Sequence, residues 1–184
     1  MIVQNIYLED WDWHITVYYA VDTYYTDEIL EELEYMGCSQ HDLAKAEKSL
    51  RGGYYNTGLT YSNTKDRYSV VVIGLTSTPA EFQNTFDHEK GHLAMHIGEA
   101  LDMDIFGEEY QYLSGMIGQL MFKVAKRFLC EINYDEIIGL LKKYGIVLER
   151  PLEVVVPCKN CKESERYRIY KDHYVFVENR KVDK

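Results

Sequence analysis

The chain has 184 residues, 46% of them hydrophobic and 27% charged, enough apolar material for one compact domain with a sizeable core. Its formal net charge is −10 and its pI is near 5.1. That field repels phosphate backbones and anionic lipid, so neither nucleic acid nor a membrane surface is an expected partner.

The opening "MIVQNIYLEDWDWH" has no basic leader and no long apolar run, so no secretory signal or membrane span is expected, and the expected location is cytoplasmic. "WHITVYYAV", residues 13–21, mixes β-branched and aromatic residues without helical spacing and reads as the first strand. Thr26 is expected to cap a short helix, "DEILEELEYM", which carries acids in its first turn and stops at Gly37. Ser39 begins a second helix that ends at Gly52 and Gly53. Residues 57–62 and 67–74 read as a β-hairpin around a turn at Asn63–Asp66.

The clearest helix start follows, with Thr78 as N-cap, Pro79 at the first helical position and Glu81 as capping-box partner. After a loop at "DMDIFG", a second long helix spans about residues 108–129 and ends near Cys130 and Asn133, followed by a helix at "YDEIIGLLKKYG". "LEVVVP" and "YRIYKDHYVFV" suggest a small terminal hairpin around "CKNC". The predicted fold class is α+β, with residues 1–150 as the main domain and 151–184 as a β-hairpin appendage.

"TFDHEKGHLAMHIGEA", residues 85–100, carries His-Glu-x-x-His inside the first long helix. Residues four apart on a helix lie about 40° apart and one turn along the axis, so His88 and His92 project toward one point, as two ligands of a single zinc ion must. Glu89 lies beside them, placed to take a proton from water. Phe82, Phe86, Leu93, Ile97 and Ala100 form an apolar sector that anchors the helix, and Gly91 offers a place for a neighbour to approach. His96 lies about 12 Å beyond His88 along an unbroken helix, too far to share its ion, and is expected to line the site.

A third ligand is expected from the next helix, "GEEYQYLSGMIGQL". Glu108 and Glu109 compete. Glu108 is preferred because it shares a face with Tyr112 and Gly115, the side that the small residues open to close approach.

"NTGLTYSNTKDRYSVVVIG", "TPAEFQNTFDHEKGHLAMHI" and "GEEYQYLSGMIG" together resemble small zinc-dependent proteins of the gluzincin type, in particular compact HExxH proteins of bacteriophages and gut Bacteroidales. The resemblance covers about residues 50–120. It implies a minimal zincin-like domain, a small sheet packed on the HExxH helix and on a following Glu-bearing helix. It also implies Zn2+ held by His88, His92 and Glu108, with Glu89 as general base and Tyr112 at a Tyr-Leu step. Tyr110 and Tyr112 are the candidates for stabilising a transition state. The implied activity is zinc-dependent hydrolysis of a peptide or protein substrate, laid along an edge strand at residues 68–74. The alternative is a zinc-binding protein, inactive or redirected, that works through protein contacts.

The short interval between His92 and Glu108 leaves no second lobe to hold substrate. Cys158 and Cys161 have zinc-knuckle spacing, but a structural site needs four ligands, no second CxxC follows, and His173 together with a distant cysteine would have to complete it. A hairpin turn is the expected reading there.

Overall fold

Strand β2, Trp13–Val21, is buried along both faces from Ile15 onward, because helices cover the sheet on each side. The computed structural model describes residues 1–129, 134–147, 150–157, 164–169 and 174–180. It is an α+β fold built on a small mixed sheet.

The sheet contains β1, Ile2–Leu8, then β2, then β3, Gly58–Asn63, and β4, Tyr68–Gly74, in the spatial order β1-β2-β4-β3. β1 runs antiparallel to β2, β2 parallel to β4, and β3 antiparallel to β4. The crossover from β2 toward β4 carries α1, Thr26–Tyr35, and α2, Gln40–Gly52, and these cover one face. On that side Tyr18, Val70 and Val72 meet Ile29, Leu33, Met36 and Ala46. The alternate residues of the same strands, Ile15, Val17, Tyr19, Val71 and Ile73, face α3, Pro79–Ala100, and α4, Glu108–Ala125. There they meet Phe82, Phe86, Leu93 and Ile97 of α3 and Leu113, Ile117 and Met121 of α4. Each such fully buried aliphatic or aromatic side chain contributes roughly 1.5–3 kcal/mol.

The caps explain where the helices start. Ser39 Oγ accepts from the Asp42 amide at 3.2 Å, and Thr78 Oγ1 from the Glu81 amide at 3.1 Å, with Pro79 in the first turn. Thr26 departs from expectation: it is the first residue of α1 and its hydroxyl donates back to Thr23 O at 2.9 Å, tying the helix to a preceding 3-10 turn at Thr23–Tyr25.

Other departures have physical reasons. β1 carries no clean alternation in its sequence, because Gln4 falls on the inward side of the strand while Val3 and Tyr7 are exposed on the other. Residues 68–74 are not an edge strand: β4 is hydrogen-bonded on both sides, to β2 and to β3, and the edges of this sheet are β1 and β3. Ala100 is exposed at the end of α3, and nothing approaches within 4 Å of a Cβ built on Gly91.

Beyond α4 come a 3-10 turn at Lys126–Phe128, α5 at Tyr134–Lys143, and a second sheet. This sheet has three antiparallel strands, β5 Leu152–Pro157, β6 Ser164–Ile169 and β7 Tyr174–Arg180, rather than the two of a hairpin. The run "YRIYKDHYVFV" holds parts of two strands. Ile169 is fully buried in the cluster that contains Trp13 and Phe128, so β6 is anchored to the main core. Cys130, Asn133, Cys158, Cys161 and His173 lie outside the described residues. Among the described residues no helix is long and apolar enough to cross a membrane.

Thr78→Ala removes the α3 cap and lowers the unfolding free energy by about 1 kcal/mol in urea titration. An unchanged midpoint means that Pro79 and the packed sheet fix the helix start without the cap.

Candidate metal centre

α3 lies across the sheet beside β3, and three directions around it decide what its residues do. Phe82, Phe86, Leu93 and Ile97 turn into the core. Lys90 and Gly98 turn toward α4: a Cβ on Gly98 would stand 2.9 Å from the Tyr110 ring, and one on Gly118 would stand 3.5 Å from Lys90 Cδ. His88 and His92 project to solvent, about 140° around the helix from the α4 side.

The imidazoles of His88 and His92 converge. Their Nε2 atoms are 3.1 Å apart, with ring centroids at 4.6 Å and planes at 83°. Two nitrogens bound to one tetrahedral zinc at 2.0–2.1 Å stand about 3.3 Å apart, so the pair fits two corners of such a site.

Glu89, one residue on, is turned about 100° from His88 and enters the seam between α3 and β3. It is only 4% exposed. Thr60 Oγ1 donates to its Oε2 at 2.7 Å and also lies 3.2 Å from its main-chain carbonyl oxygen. A Cβ on Gly58 would sit 2.5 Å from both Cγ and Oε1 of Glu89, so the carboxylate occupies space that only glycine leaves open. Burial pushes the Glu89 carboxyl above its ordinary value, while the Thr60 hydrogen bond and the charges of His88 and His92 pull it partly back.

His96 faces the same strand one register further. Its Nδ1 is 3.0 Å from Ser62 Oγ, which is 2.7 Å from Ser69 Oγ, which accepts from Trp13 Nε1 at 2.9 Å. Burial first, and His92 second, push the His96 imidazole below its ordinary value. Gly58, Thr60 and Ser62 are thus alternate residues on one face of β3, matched to Glu89 and His96. Sequence reasoning passed over these three. The available signal was the run of small residues at period two in "GLTYSN", just upstream of the motif helix.

The structure does not bring Glu108 to the histidine pair. The Gly98–Tyr110 and Lys90–Gly118 contacts set an antiparallel register that places Glu108 level with the end of α3, about 12 Å along the axis from His92. Glu108 and Glu109 are exposed in the first turn of α4, where they favour the helix dipole. The face Glu108 shares with Tyr112 and Gly115 is the outer one: Tyr112 is 70% exposed and nothing lies within 4 Å of a Cβ on Gly115. Tyr110 packs on Gly98. Among the described residues no group of three or more His, Cys, Asp or Glu side chains is arranged to hold a metal ion.

No protein-family model matches the chain, and no curated protein or solved structure matches it either.

Because the folded-state pKa of Glu89 is raised, its ionisation opposes folding: the cost is absent below the unfolded carboxylate range and grows as pH rises through the folded value. Metal-free Glu89→Gln is therefore expected to melt higher than wild type at pH 7, with the gap narrowing toward pH 4; a gap that widens on acidification contradicts the buried-carboxylate geometry. Gly58→Ala is expected to destabilise the protein, and much less so in a Glu89→Ala background. Additive effects in that double-mutant cycle would mean that the two residues do not share the space.

Proposed function

We propose that this chain is a zinc-dependent peptidase of the compact gluzincin type, with His88 and His92 as metal ligands and Glu89 as general base. The observation that carries the reading is the 3.1 Å approach of two imidazole nitrogens directly beside a buried, hydrogen-bonded glutamate. Zinc, when bound, acts as a Lewis acid that makes water acidic enough to lose a proton near neutrality.

The other contributions belong to the chain. The Glu89 carboxylate, raised by burial, is better matched to accepting a proton near neutral pH than an exposed glutamate. Thr60 fixes its rotamer through Oε2, and Gly58 leaves room for Oε1. β3, as the sheet edge beside this carboxylate, can take an extended peptide by strand addition, which fits a peptide or protein substrate. The resemblance assigns the third ligand to Glu108 and puts Tyr112 at a Tyr-Leu step, and in this structure both lie on the outer face of α4, displaced from the pair.

That displacement favours a second reading, a zinc-binding protein without hydrolysis that acts through protein contacts.

Metal analysis of the purified protein is expected to give one zinc per chain in wild type and Glu89→Gln, and little in His88→Ala or His92→Ala. Loss of zinc in Glu108→Ala but not Glu109→Ala supports the α4 assignment. Cleavage of a fluorogenic peptide library is expected to fall about 10²- to 10⁴-fold in Glu89→Gln with zinc retained. Zinc without cleavage selects the second reading, and wild type without zinc overturns both.

A further inference from the structure

β3 ends its sheet, and nothing in "GLTYSN" discourages a further strand: the segment holds no charge and no proline, the usual devices that protect an edge. α3 runs along this margin. It packs on β4 through Val71 and Ile73 and is tied to β3 by Thr60, so its axis lies over the seam between the two strands. α4 lies on the other side, over β1, where Gln4 Nε2 donates to Leu120 O at 2.9 Å. His88 and His92, leaving α3 on the side away from α4, therefore stand above the open edge.

As a coordination site the pair is half complete. Two nitrogens 3.1 Å apart fill two corners of a tetrahedron, and among the described residues no third His, Cys, Asp or Glu joins them. A second copy of the chain supplies the other two corners by symmetry. Antiparallel pairing of β3 with β3 of that copy creates a two-fold axis normal to the sheet. Setting Thr60 opposite its own equivalent keeps Gly58, Thr60 and Ser62 of both copies on one face, whereas a slip of one residue puts unlike faces together. Thr60 is bonded to Glu89, so this register puts the axis level with the stretch between His88 and His92. Two helices lying over such seams stand about 10 Å apart, an ordinary packing distance. The imidazole pairs then face each other across the axis.

Charge makes the metal a requirement. Glu81 and Glu99 lie on the same stripe of α3 as the histidines, at its two ends, and antiparallel helices bring one against the other. With −10 on each chain as well, two copies repel until a divalent cation is placed between them.

We propose that two copies of this chain share one zinc ion through His88 and His92 of each, paired along β3, and that this dimer is a latent form. The proposal rests on the assignment of the two histidines as zinc ligands. Four imidazoles close the coordination sphere and leave no position for water, and the joined strands occupy the edge offered to a peptide. Zinc in excess separates the copies by mass action, because each pair then takes an ion of its own.

The test is sedimentation velocity of the full metal-free chain titrated with zinc chloride, with bound zinc measured at each ratio. Monomer is expected in EDTA, a maximum of dimer near about half a zinc per chain, and monomer carrying its own zinc in excess. His92→Ala is expected to stay monomeric throughout, and amide exchange across residues 58–63 is expected to slow about tenfold or more in the wild-type dimer alone. Zinc-loaded monomer at every ratio overturns the dimer and leaves the ligand assignment standing, whereas wild type that binds no zinc overturns both. A zinc-dependent dimer whose residues 58–63 exchange as fast as in the monomer overturns the joined edge, and one that persists in excess zinc overturns the latent role.

Discussion

The arrangement around α3 depends on one carboxylate being held out of water between a helix and an edge strand. Glu89 is placed there by helical geometry, which turns it about 100° from His88 and onto β3. It is tolerated there because Gly58 has no side chain and Thr60 supplies a hydroxyl. A buried carboxyl with a single side-chain donor is poorly compensated, and burial raises its pKa as a result. The exposed imidazoles of His88 and His92 stand directly beside it on α3.

The same strand face organises the next turn of α3. Ser62 meets His96, and the hydrogen bonds continue through Ser69 to an indole nitrogen in the core. β3 is thus both the open margin of the sheet and the polar track on which α3 rests. β3 is accordingly of intermediate burial along its whole length, while β4 beside it is buried from Ser69 to Ile73.

Much of this was readable in the sequence. Helix starts at Ser39 and Thr78, the β3–β4 hairpin and the phase of α3 follow from capping chemistry and periodicity, both local properties. The convergence of His88 and His92 is equally local, since it needs only a continuous helix. The position of α4 against α3 was not legible, because it depends on which face of α4 is buried. Small residues at Gly115 and Gly118 suggested a close contact, yet only Gly118 meets α3, while the packed ridge is Leu113, Ile117 and Met121. Glu108 followed the glycine face and so points outward with Tyr112. The strand order was likewise hidden: no local pattern says that β4 pairs with β2 as well as with β3.

Trp13 is completely buried, and its ring nitrogen is tied through two serine hydroxyls to the histidine at the end of the motif helix. Indole emission responds to the polarity and hydrogen bonding around that nitrogen. The molecule therefore carries an optical reporter wired to its histidine-bearing face, readable without any added label.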